Sequence, residues 1–232
     1  MKYIGQELEL FAHARNWKNY YSGLLKPYIH GDVLEVGGGI GSTFRIACNN
    51  KVINWTAVEP DEKLANCFQA SIQEDSATVK PKVVVGTISS ISAKPSFDCI
   101  IYIDVLEHIK NDYEEMRLAC ERLRIGGKLI VLSPAHQWLF TEFDLAIGHF
   151  RRYTTSSLDD VAVRLPLNKV ALFYLDSAGL LLSLANKLLL KQRMPSLSQI
   201  RIWDKAIVPI SRILDRCLAF RMGKTVIGIW EK

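Results

Sequence analysis

No two cysteines in this 232-residue chain lie closer than 19 residues, and no CxxC occurs among the five: Cys48, Cys67, Cys99, Cys120 and Cys217. An odd count at such spacing argues against a disulfide framework and a cysteine-built metal site, and no metal site of any kind is expected. Cys48, Cys99 and Cys120 fall inside apolar runs and read as small buried hydrophobes in a reducing compartment, so a cytoplasmic location is expected. Clean apolar stretches of membrane-spanning length are missing as well. The most apolar segment, 170–190, is interrupted by Asp176, Asn186 and Lys187, whereas a span needs about 20 apolar residues. The opening MKYIGQELELFAHARNWK has no apolar core, so no secretory leader is expected. Internal repeats and low-complexity tracts are absent. With 49% hydrophobic and 23% charged residues, the composition is that of a globular chain rather than a disordered or fibrous one. A chain of this size buries roughly 70% of the surface it exposes when unfolded, so a sizeable core is available.

The net charge of +5 is unevenly spread. From Ser183 to Lys232 there are ten Lys/Arg against three Asp/Glu, or +7, which leaves residues 1–182 at −2. A basic tail on a nearly neutral body suits contact with an acidic surface, lipid headgroups or an anionic substrate.

Short Val/Ile-rich runs alternate with helical patterns from Asp32 to Ser133. The runs are Val33–Val36, Ile53–Val58, Val83–Val85, Cys99–Ile103 and Lys128–Leu132. They are apolar almost throughout, as strands covered on both faces of a parallel sheet must be. Helices are expected at Asp61–Glu74, at Asp112–Arg124 with a stop at Gly126-Gly127, and at Thr155–Leu165 with cap chemistry from Ser156, Ser157 and Asp159. Lys169–Leu175 and Lys224–Trp230 read as two further strands, separated by a connection far too long for a hairpin. The expected architecture is therefore α/β: a doubly wound, mostly parallel seven-stranded sheet. One domain spans 1–232, with a helical segment over 1–30 carrying Arg15, Trp17, Tyr20 and Tyr21 as a cap or packing helix. A helical insert or lid is expected over 176–222, open to peripheral membrane contact through its basic helices.

The densest chemistry lies in DVLEVGGGIGS (32–42). A buried strand enters a glycine corner and a helix follows, which lets a ligand approach the backbone. A dinucleotide fingerprint would need glycine or alanine at its sixth position, but Ser42 stands there. What fits is E-x-G-x-G-x-G on Glu35, Gly37, Gly39 and Gly41. Eighteen residues on, Glu59 ends the second strand, where a carboxylate can accept from both hydroxyls of a ribose.

With FDCIIYIDVLEHI (97–109) and LRIGGKLIVLSPAH (123–136), these segments resemble the class I S-adenosylmethionine-dependent methyltransferases over about residues 30–155. GHFRRYT (148–154) resembles a bacterial subgroup of them. The resemblance implies a Rossmann-like methyltransferase fold with an antiparallel last strand. It implies S-adenosylmethionine as methyl donor and S-adenosylhomocysteine as product. The expected cofactor contacts are Glu35, Gly37, Gly39, Gly41, Glu59 and Asp104; Thr87 and Ile88 stand where relatives carry an acidic adenine contact. A sulfonium is already activated, so the protein must chiefly align the acceptor and exclude water. His108, His149 and Glu107 are the catalytic candidates for a base that a hydroxyl acceptor would need. Arg151 and Arg152, beside Tyr153, suit recognition of a carboxylate or phosphate, and Trp138 is placed at the acceptor pocket. The expected partner is a small-molecule or lipid-like acceptor, with a non-catalytic binding module as the alternative. A nucleic-acid methyltransferase is the further alternative, which the basic tail favours and the lack of a visible turn for a flipped base disfavours.

Overall fold

The computed structural model describes residues 7–73, 79–187 and 195–232. Helices α1 (Glu7–Ala12) and α2 (Arg15–Leu25) precede β1 (Gly31–Val36) and α3 (Ser42–Ala47). Then come β2 (Val52–Glu59), α4 (Glu62–Gln73), β3 (Lys82–Val85), β4 (Phe97–Ile103) and α5 (Asp112–Arg122). The second half contains β5 (Leu123–Pro134), α6 (Glu142–Ala146), α7 (Thr155–Ala162), β6 (Asn168–Leu175), α8 (Ser177–Ala185), α9 (Leu197–Ile202), α10 (Val208–Cys217) and β7 (Thr225–Glu231). The strands form one sheet in the order β3-β2-β1-β4-β5-β7-β6. Only β7 runs against its neighbours, pairing antiparallel with both β5 and β6. The order reverses between β1 and β4, and in such sheets the crevice at the carboxyl ends of the strands there is the ligand site.

Alternation along each strand sorts the core into two layers. Val33, Trp55, Ala57, Ile101, Ile130 and Ile229 face the layer that holds Trp17, Tyr20, Tyr21, Phe44 and Trp203. Leu34, Val58, Ile100, Tyr102, Val131 and Trp230 face the layer that holds Met116, Ala119 and Leu158. Helices on both faces explain why the strands read as unbroken apolar runs.

Three local expectations change. Gly126-Gly127 does not stop α5, which ends at Arg122; the pair lies inside β5, with Gly126 at φ 81°, where pairing to β4 shifts register between Phe97 and Cys99. Gly126 N donates to Lys232 O (2.7 Å) and Lys232 N to Gly127 O (3.0 Å), so the glycines seat the last residue of the chain. The cap of α7 is Thr154 paired with Ser157 rather than Ser156, while Asp159 accepts from Trp230 Nε1 at 3.2 Å. Among the cysteines, Cys99 and Cys120 are buried, Cys48 is half-buried, and Cys67 and Cys217 are exposed.

The insert is helical but broken. Helix α8 carries most of the 180–190 leucine run, whose last three residues lie outside the described ones, as do Glu74 of the expected Asp61–Glu74 helix and residues 1–6 of the N-terminal segment. A π-helical turn, Trp203–Ile207, joins α9 to α10. Three buried aspartates fasten this unit to the sheet and to α2. Asp204 accepts from Trp17 N (2.9 Å) and Asn16 N (3.2 Å); Asp215 accepts from Tyr20 Oη, Asp176 N and Ser177 N (2.8–2.9 Å). Asp176 accepts from Trp203 Nε1 (2.8 Å), Gly179 N (3.0 Å) and Ser211 Oγ, and pairs with Lys224 (3.3 Å). No helix among the described residues is long and apolar enough to cross a membrane.

Candidate active site

The glycine corner follows β1. Gly37, Gly39 and Gly41 have φ of 73°, 52° and 80°, in the left-handed region that favours glycine. A Cβ at Gly37 would overlap Val105, and one at Gly41 would overlap the Phe68 ring. The corner is thus clasped between the segment after β4 and helix α4, and its glycines are needed for that fit before any ligand is considered. Gly37 and Gly38 donate to Val58 O (2.8 and 3.0 Å), which ties the loop to β2.

Beneath it, Glu35 is buried, accepts from Trp55 Nε1 at 2.9 Å and shares a hydrogen bond with Thr43; burial pushes its pKa up to about 8. Tyr21 of α2 hydrogen-bonds the same Thr43, so α2 covers the corner from above while Trp17 and Tyr20 pack into the core; Arg15 remains exposed. Glu59, at the end of β2, accepts from Gly39 N (2.8 Å) with Oε2 and from Asp61 N (2.9 Å) with Oε1. Each oxygen keeps a second lone pair, which is what a vicinal diol requires. Burial raises the Glu59 pKa, and the two backbone donors oppose that rise.

Past β3, Thr87 and Ser90 form a capping box around the turn Ile88–Ser90; Thr87 is exposed, whereas Ile88 is fully buried and packs into the sheet core. Past β4, Asp104 sits at φ 54°, an uncommon conformation for aspartate, and its side chain is exposed. Protein nonetheless surrounds it, and that enclosure raises its pKa to about 6 against the opposing pull of His149, Lys224 and Lys18. Asp104 is thus an exposed residue within electrostatic reach of side chains from three separate segments, just past the carboxyl end of β4 and beside the corner that follows β1.

Beside that floor, topology gathers residues distant in sequence. Glu107 and His108 occupy the turn Leu106–His108, and His149 follows α6. The His108 and His149 rings meet edge to face with centroids 4.4 Å apart. His149 Nδ1 lies 2.9 Å from Asp144 Oδ1, and His149 Nε2 lies 3.8 Å from Glu107 Oε1. Glu107 Oε2 accepts from Ser133 Oγ at 2.8 Å. Burial and the neighbouring His149 lower the His108 pKa to about 4, which keeps its imidazole neutral.

Arg151 and Arg152 are both engaged by internal carboxylates. Arg152 grips Asp144 with Nε (2.8 Å) and Nη2 (2.9 Å); Arg151 bonds Asp112 (2.5 Å) and Lys110 O (2.6 Å). Tyr153 Oη donates to the same Asp112 (2.8 Å). Trp138 is half exposed and stacks on His136, which stacks in turn on Tyr174. Sequence reasoning did not single out Asp144, although it lies only five residues before His149; without the fold nothing marks it as the acid that orients that ring.

A family model described as a methyltransferase domain matches residues 10–174, more than half of the chain. The chain belongs to this family. The methyltransferase also shares its fold with solved structures of low identity. A putative methyltransferase from Bacillus halodurans is 12% identical, with 92% of this chain and 98% of that one covered at a TM-score of 0.63. A SAM-dependent methyltransferase from Archaeoglobus fulgidus is 15% identical, with 98% and 100% covered at 0.61. Haemonchus contortus phosphoethanolamine N-methyltransferase 2, solved in complex with S-adenosyl-L-methionine, is 14% identical, with 98% and 57% covered at 0.66. No curated protein matches the chain. The enzyme has the fold of methyltransferases that use S-adenosylmethionine, and the glycine corner, Glu59 and Asp104 suit that donor.

Proposed function

We propose that the enzyme transfers a methyl group from S-adenosylmethionine to a small-molecule or lipid-like acceptor that carries an anionic group. The observation that carries this reading is that the exposed Asp104, Glu59 and the Gly37–Gly41 corner lie together at the carboxyl ends of the parallel neighbours β4, β2 and β1, where the strand order reverses. When bound, S-adenosylmethionine supplies an activated methyl group on a positively charged sulfur.

In this reading Glu59 accepts from the ribose hydroxyls, Gly37, Gly39 and Gly41 offer a backbone wall, and Asp104 faces the cationic end. Thr87 would face the adenine. Glu35 acts from below by holding Thr43 and the loop, since its carboxyl is turned toward Trp55. His149, fixed through Nδ1 by Asp144, presents Nε2 toward Glu107, and it and His108 are the imidazoles that could take a proton from a hydroxyl acceptor whenever no cation occupies them. Arg152 spends Nε and one Nη2 hydrogen on Asp144, so its other Nη hydrogens are left for an anionic acceptor group, with Arg151, Tyr153 and Trp138 alongside.

The lipid-like class is supported by the insert. Leu181, Leu182, Ile202, Ile210 and Ile213 are exposed on it by 46–67%, and exposed Arg201, Lys205, Arg212 and Arg216 share its helices. An apolar face flanked by cations is what an anionic lipid surface attracts. The test incubates the purified protein with methyl-labelled S-adenosylmethionine and either soluble acids or vesicles of anionic lipid. Label in an extracted acceptor is expected. Donor binding without transfer to any acceptor would favour a non-catalytic binding module instead.

A further inference from the structure

The atom Glu107 Oε1 has no hydrogen-bond partner among the described residues, although the side chain is 0% exposed. Leaving a buried carboxylate oxygen unmade is costly. What faces it is His149 Nε2 at 3.8 Å, beyond hydrogen-bond range. Donor atoms of Glu107, His108 and His149 all lie within 4.8 Å of one another. Two atoms each about 2.0–2.2 Å from one cation stand about 3–4 Å apart, so 3.8 Å is a spacing that shared coordination produces and a hydrogen bond does not.

We propose that Glu107, His108 and His149 hold one divalent first-row cation of the zinc type, with coordination positions left open to the cleft. Two imidazoles and one carboxylate favour zinc, cobalt or iron(II) over magnesium or calcium, which prefer oxygen alone. The outer groups are those a metal site needs. Asp144 holds His149 Nδ1, which turns the Nε2 lone pair toward the gap, and Arg152 fixes Asp144 in turn. Ser133 donates to the other Glu107 oxygen and so sets the carboxylate's orientation. The open positions would take an oxygen of the acceptor, such as a hydroxyl or phosphate; that last step rests on the methyl-transfer reading, whereas the cation site does not.

The experiment strips the full chain with a chelator and titrates it with Co2+, following the visible absorption that imidazole-bound cobalt acquires, then displaces it with Zn2+. One equivalent is expected. Glu107→Gln, His108→Ala and His149→Ala should each weaken binding by at least tenfold, while His13→Ala, at an exposed histidine away from the cluster, leaves it unchanged. Far-UV circular dichroism checks each fold; His108→Ala, at the less buried position, decides the matter should the other two unfold. Absence of a one-to-one cobalt complex, or undiminished affinity in folded His108→Ala, overturns the site. Titrating S-adenosylmethionine into the same stripped protein separates the two readings: donor binding without cobalt binding refutes the cation alone, and cobalt binding without donor binding refutes the donor cleft alone.

Discussion

Replacing Asp144 with Asn should reveal how much of the site's geometry rests on one buried charge. Asp144 is fully buried and accepts from Thr141 N (2.8 Å), Arg152 Nε (2.8 Å), Arg152 Nη2 (2.9 Å) and the His149 ring (2.9 Å). Burial alone would raise its pKa, but the hydrogen bonds from His149 and Arg152 outweigh that and hold it well below the ordinary 3.8. The variant keeps the shape but leaves a guanidinium, only 13% exposed, against a neutral amide. Removing one partner of a buried pair costs about 3–5 kcal/mol. With a urea slope of about 2–3 kcal/mol/M, the midpoint at pH 7 should fall by roughly 1–2 M. The pH dependence has a definite sign. A depressed carboxylate contributes stability that is full above the unfolded value and is lost as pH falls through the folded one. The wild type should therefore lose that contribution as pH drops below about 4, and Asp144→Asn should lack that part of the acid limb. Urea unfolding followed by circular dichroism at pH 7 and pH 3 measures both. A midpoint within 0.3 M of wild type, or an unchanged acid limb, would refute the reasoning (a threshold of roughly 1 kcal/mol).

Other perturbations probe different parts of the molecule. Gly41→Ala must adopt φ 80° and overlap Phe68; left-handed backbone and overpacking together should cost about 2–4 kcal/mol, read as a lower melting temperature. Glu35 has its pKa raised to about 8, so the folded state binds more protons than the unfolded chain and stability should fall as pH rises from 5 to 8. Glu35→Gln should abolish that slope, and a slope that persists argues against a neutral buried carboxyl. Asp176→Ala removes the acceptor of Trp203, Gly179, Ser211 and Lys224. It should destabilise by about 3–5 kcal/mol and speed amide exchange across α8 and α10; protection unchanged there would show that the insert is held otherwise.

The seven strands were legible because helices on both sheet faces leave almost no polar position within them, and their boundaries moved by only a residue or so at most ends. The exception is β5, which begins at Leu123 rather than Lys128 because a glycine pair that looks like a helix stop instead bends a strand. The glycine corner and Glu59 were legible as well, since both lie in short local patterns. The partners of Arg151 and Arg152 were not: Asp112 is 39 residues from Arg151, and Asp144 carries no signal of burial in the sequence. For the same reason Asp176 read as a mere interruption of an apolar stretch and Asp204 and Asp215 drew no notice, although contacts up to 188 residues away make all three the anchors of the insert. The meeting of Glu107 with His149 is equally a product of topology.

The most direct test is calorimetric titration of S-adenosylmethionine into the wild type, Glu59→Gln and Asp104→Asn. One molecule should bind per wild-type chain, and each variant should bind about 10–100-fold more weakly, the worth of one charge-assisted hydrogen bond. A wild type that takes up no donor, or folded variants that bind it undiminished, would contradict the assignment of the cleft.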